Sequence, residues 1–147
     1  MTHGFDTSFL VAAEVAEHPD HAGVWRRIAG LKAQGNRFGL TALVLAEFIH
    51  IVTDSRRFHR PLTMPEALAK ARMWWEAAEV EQAAPNDDAV GWFLEAMGRY
   101  QLGRKRVLDT MLAAIYRSGG VTSVLRLNAA DFTVFGEFTC LGPRTTA

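Results

Sequence analysis

Segments patterned as helices alternate along this chain with short runs patterned as strands, and few folds accommodate that order. Apolar residues at three- and four-residue steps mark helices at 8–16, 21–33 and Ala42–Val52. The capping box Thr63-Met64-Pro65-Glu66 opens another, to about Ala78. Pro85-Asn86-Asp87-Asp88 caps a helix to about Tyr100, and Val107–Arg117 is stopped by Gly119-Gly120. Between them lie the strand-like runs Phe38–Thr41, Val121–Leu125 and Phe138–Leu141, with Val80-Glu81-Gln82 as an edge strand. A strand before Asp6 would have to use His3 and Gly4, which are poor strand formers. Helices between strands supply the crossovers that parallel pairing needs. The expectation is an α/β fold with a small parallel sheet covered by helices.

The length of 147 residues allows a real hydrophobic core, and nothing in the chain marks a linker, so 1-147 is read as one domain. Lys plus Arg and Asp plus Glu balance at 16 each, which excludes a polybasic tail and an acidic disordered segment but not a local basic patch. One cysteine, Cys140, excludes an intrachain disulfide and a multi-cysteine zinc site, and points to a reducing cytoplasmic compartment. No run is long and apolar enough for a membrane span, and the start lacks a basic segment followed by an apolar one.

Carboxylates beside apolar sequence carry the functional signal. Glu47 lies on the stripe of Leu43, Val44, Phe48 and Ile51, where an ionised group is costly unless a cation or hydrogen bonds compensate it. A buried Arg106 or Arg126 is one possible partner. Asp6 and Asp131 follow strand-like segments, and Asp109 begins a helix; each alone reads equally as a cap or turn residue. Together they suit the crevice beyond the carboxyl ends of parallel strands, provided that the strand before Asp6 neighbours 121–125. Clustered acids need a counter-charge, and an all-oxygen donor set suits Mg2+ or Mn2+.

Asp6-Thr7-Ser8-Phe9-Leu10, Leu45-Ala46-Glu47-Phe48, Asp109-Thr110-Met111-Leu112-Ala113-Ala114 and Asn128-Ala129-Ala130-Asp131-Phe132 resemble the ordered acidic motifs of PIN-domain proteins, above all the VapC-type toxin ribonucleases of toxin–antitoxin pairs. The resemblance spans residues 5 to about 143. It implies a PIN-like (Rossmann-like) sheet and a Mg2+- or Mn2+-dependent endoribonuclease that cleaves RNA phosphodiesters. It implies Asp6, Glu47, Asp109 and Asp131 as the catalytic, metal-binding acids, with Asn128 and Thr7 as supporting polar positions. It also implies a cognate antitoxin laid over an apolar groove, and a homodimer. His18 and His21 fall where such toxins often carry a His and are read as surface residues. Arg126 stands where the family has Thr or Ser. It either holds a phosphate or pairs with Glu47 or Asp131, and in the second case the chain is a catalytically silent PIN-fold binding module.

Arg104, Lys105 and Arg106 precede Asp109 and, with Arg126, are the candidate RNA contacts; Arg26-Arg27 and Arg56-Arg57 with His59 and Arg60 form further basic groups. Trp74 and Trp75 are about 100° apart on a helix, so one of them should be part-exposed at an interface or packed against another element.

Overall fold

The computed structural model describes residues 1–144, apart from the side chains of residues 129–131. Five parallel strands form one sheet: β1 (Thr2–Phe5), β2 (Arg37–Thr41), β3 (Val80–Ala83), β4 (Ser123–Leu125) and β5 (Thr139–Leu141). Their order is β3-β2-β1-β4-β5, with every pairing parallel. The chain therefore builds outward from β1 in one direction and returns to build on its other side. The reversal falls between β1 and β4, where open α/β sheets form their crevice. The edge position expected for Val80–Gln82 is the one β3 takes.

The helices are α1 (Thr7–Glu14), α2 (His21–Ala33), α3 (Ala42–Val52), α4 (Met64–Glu76), α5 (Asp87–Arg99) and α6 (Val107–Ser118). Short 3-10 turns at Arg104–Arg106 and Ala129–Phe135 precede α6 and β5. Asp6, Thr41, Thr63 and Asn86 cap α1, α3, α4 and α5 by accepting backbone N–H bonds. The Thr63–Glu66 capping box is complete in both directions.

The central strand is the one with the weakest strand composition, and its residues show why it forms. The His3 Nδ1 lies 2.7 Å from Ser123 Oγ on β4, and its Nε2 lies 3.3 Å from Asn36 Oδ1 before β2, so a buried polar side chain is satisfied on both sides. Gly4 makes room for the Tyr116 ring of α6; a Cβ there would come within 2.6 Å of it. The Tyr116 hydroxyl in turn donates to the Phe5 and Gly39 carbonyls. Two poor strand formers are thus tolerated because tertiary partners fill the space and bonds they leave open.

Phe5, Phe9, Phe38, Val44, Phe48 and Leu125 meet in the core. Trp74 joins them, bonded through Nε1 to the nearly buried Glu14 carboxylate at 2.9 Å, while Trp75 stays part-exposed.

Candidate functional site

The sheet register places the first acid. Phe5 is opposite Leu125 and the Asp6 N–H donates to the Leu125 carbonyl, so Asp6 and Arg126 emerge side by side at the carboxyl ends of β1 and β4. Asp6 also caps α1. Its Oδ2 accepts from Ser8 Oγ at 2.8 Å, and Ser8 Oγ accepts the Leu127 N–H, which ties the cap to the loop after β4. Glu47 arrives from the second turn of α3. Val44, Phe48 and Val52 of that helix face the core, whereas Glu47 and Ile51 face outward into a cavity of about 500 Å³. Asp109, in the first turn of α6, lines the same cavity. So do Thr7, His18, Arg57 and Phe58.

Sequence reasoning passed over some of these residues. His18, read as a surface residue, borders the acids, and its Nδ1 accepts the Asp20 N–H. Ser8 and Arg57 also belong to the site. Arg57 lies in a loop pinned by Glu17, whose carboxylate accepts the His59 and Arg60 N–H groups. Arg57 belongs to a basic group and Ser8 to an acidic motif that the sequence shows, but their place beside Glu47 is not local, because the α1–α3 packing brings them together.

Arg126 is buried. Its Nη1 lies 3.4 Å from Asp109 Oδ1 and 3.6 Å from Asp6 Oδ1, its Nε donates to the Asn128 carbonyl at 2.6 Å, and its guanidinium stacks 4.9 Å from the Phe132 ring centroid. Of the two pairings the sequence offered, Glu47 is not in contact with Arg126, and Asp131 has its side chain outside the described residues; the β1–β4 register sets Arg126 beside Asp6, and α6 brings Asp109 to it. Burial also takes this guanidinium off the face that an RNA contact needs. Arg104 and Lys105 are exposed on the turn before α6, and Arg106 is half-buried there. Asn128 is exposed. Asp131 lies on the 129–135 turn, and its side chain is outside the described residues.

Electrostatics reports a deficit of positive charge. Burial raises the Asp6 carboxyl above the usual Asp range, although Arg126 and Ser8 oppose it. Burial, with repulsion from Asp6 and Asp109, likewise raises Glu47. Among the described residues no three His, Cys, Asp or Glu side chains are drawn close enough to hold an ion as they stand. The donor chemistry nevertheless fits a hard divalent cation, because the converging ligands are carboxylate oxygens. Asp6, Glu47 and Asp109 face the buried Arg126 guanidinium, and Arg57 lines the same cavity.

No family model and no curated protein matches the chain. Solved structures do. VapC20 of Mycobacterium tuberculosis, a toxin that cleaves the sarcin–ricin loop, aligns with a TM-score of 0.69 at 19% identity over 95% of this chain and 97% of that one. VapBC2 from Rickettsia felis, bound to a promoter DNA fragment, gives 0.68 at 16% identity over 97% and 98%. VapBC-1 from nontypeable Haemophilus influenzae gives 0.69 at 14% identity over 99% and 100%. The chain has the fold of these toxins, the PIN-like α/β fold that its acidic motifs lead one to expect.

Proposed function

We propose that this chain is a divalent-metal-dependent endoribonuclease acting as the toxin of a type II toxin–antitoxin pair. The observation that carries the reading is the convergence of Asp6, Glu47 and Asp109, from three separate stretches of chain, on one cavity at the carboxyl rim of a parallel sheet. These acids, with Asp131, would hold Mg2+ or Mn2+ through oxygen. A bound divalent ion supplies acidification of a water and neutralises charge on phosphate oxygens. The chain's own residues do the rest. Ser8 fixes the Asp6 carboxylate by its hydrogen bond, and Val11, Ile51 and Phe58 lower the local dielectric around the acids. Exposed Arg57, Arg104 and Lys105 attract and orient a phosphate backbone. Hydrolysis leaves a 5′-phosphate and a 3′-hydroxyl. That VapC20, a neighbour in fold, cleaves an RNA loop supports RNA as the substrate.

The neighbours that are VapBC complexes support an antitoxin partner. An apolar groove of about 390 Å³ between α3 and α4 suits it. Leu45, Ile49, Leu68, Ala71 and Trp75 line this groove, and Arg72 and Glu76 provide polar anchors. An amphipathic segment of a partner fits such a surface. A homodimer belongs to the same reading, and light scattering on the purified chain tests it.

The test is cleavage of single-stranded RNA with Mg2+ or Mn2+. Wild-type protein cleaves, Asp6→Asn and Asp109→Asn do not, and both variants keep the wild-type circular dichroism spectrum. Equal cleavage by wild type and Asp6→Asn refutes the assignment. The pairing of Arg126 with two of the acids favours a second reading, a catalytically silent binding module on this fold. Its mark is a folded wild-type protein that neither cleaves RNA nor gains thermal stability with Mn2+.

A further inference from the structure

We infer that Arg126 is a resident counter-cation of the acid cluster, supplying to Asp6 and Asp109 charge that a metal ion would otherwise supply. The described carboxylates then admit one divalent ion, on the Glu47 side, and bind it weakly. The inference rests on the reading of this cavity as a metal site and adds how that site is filled.

Three observations carry it. First, the position is fixed. The residue is 7% exposed, its Nε donates to the Asn128 carbonyl, and its guanidinium carbon lies over the Phe132 ring. A guanidinium so held is no swinging phosphate finger. It is also charged at every pH the folded protein meets, so it cannot leave the site by losing a proton. Second, the contacts are distributed. Nη1 lies 3.4 and 3.6 Å from one oxygen each of Asp109 and Asp6, longer than the roughly 2.7–2.9 Å of a tight charge-assisted bond. Among the described residues this one cation therefore serves two acids without saturating either. Third, Glu47 has no ion pair or hydrogen bond among the described residues. It is the described acid of the cavity that Arg126 does not contact, so it is the one left to meet an added cation.

The measurement is Mn2+ binding, by calorimetry and by electron paramagnetic resonance of free Mn2+, on wild type, Arg126→Gln and Arg126→Lys. Gln keeps a donor for the Asn128 carbonyl and removes the charge; Lys keeps the charge. We expect one weakly bound ion in wild type and the same in Arg126→Lys. In Arg126→Gln we expect affinity higher by roughly tenfold or more, or a second bound ion, because a like charge at the site has gone. Two ions bound to wild type would overturn the inference whether or not the variants fold. Unchanged or weaker Mn2+ affinity in folded Arg126→Gln would overturn it while leaving the metal site in place. Absence of binding to folded wild type and folded Arg126→Gln alike would overturn the metal site itself, and the inference with it.

Discussion

Glu47 and Gly4 each make sense through a neighbour far away in sequence. The Glu47 carboxylate is raised above its usual range by burial and by two other acids, so its ionisation opposes folding while no cation is bound. A carboxyl with a raised folded-state pKa favours the native state at low pH, and that advantage is lost as pH rises through the folded value. With EDTA present, Glu47→Gln should therefore raise the melting temperature at pH 7.5 by about 1–2 °C, a small gain because solvent screens this half-exposed carboxylate. Near pH 4, where the acid is already protonated, the gain should vanish. A melting temperature that is unchanged or lower at pH 7.5 would contradict this account. Gly4 is a packing case. Gly4→Ala puts a methyl against the Tyr116 ring, which cannot retreat because its hydroxyl is bonded to two strand carbonyls. A loss of about 1–3 kcal/mol in urea denaturation is the expected outcome.

Among the elements, β1 and α4 depend on side chains that sequence patterns treat very differently. His3 ties β1 to β4 and to the turn before β2, and burial lowers its pKa below the usual value of 6.5. The folded state thus binds fewer protons than the unfolded chain just below pH 6.5. Its contribution is complete above that pH and is lost as pH falls through the lowered value. This slope is opposite in sign to that of Glu47. The melting temperature followed from pH 7.5 to 5.5 should fall less steeply in His3→Gln than in wild type; an equal or steeper fall would remove His3 as the cause. On α4, the Thr63–Glu66 box is a local device readable from four consecutive residues. Thr63→Ala should cost about 1 kcal/mol by denaturant titration.

At the scale of the whole molecule, the acid cavity and the apolar groove lie on different sides of α3. Glu47 and Ile51 face one, and Leu45 and Ile49 face the other. Under the proposed function, one helix serves cleavage through one face and partner binding through the other, and the two activities should separate genetically. Leu68→Asp, on the α4 side of the groove, should abolish co-purification with an antitoxin encoded immediately upstream while RNA cleavage persists. Loss of both together would argue against two independent surfaces. No helix among the described residues is long and apolar enough to cross a membrane.

Local pattern set the helix–strand alternation, the helix caps and the order of the acids along the chain, because periodicity and capping act over a few residues. It also led to the edge position of β3, and it left open whether one tryptophan of the Trp74–Trp75 pair is part-exposed or packed. It undervalued β1, since His3 and Gly4 are tolerated only through Ser123, Asn36 and Tyr116 from elsewhere in the chain. The destination of the Arg126 charge was decided by tertiary structure alone. The parallel register of β1 with β4 sets Arg126 beside Asp6, and α6 then delivers Asp109. Contacts between residues a hundred positions apart leave no trace in local pattern, yet they fix which charges meet and so what the cavity can bind.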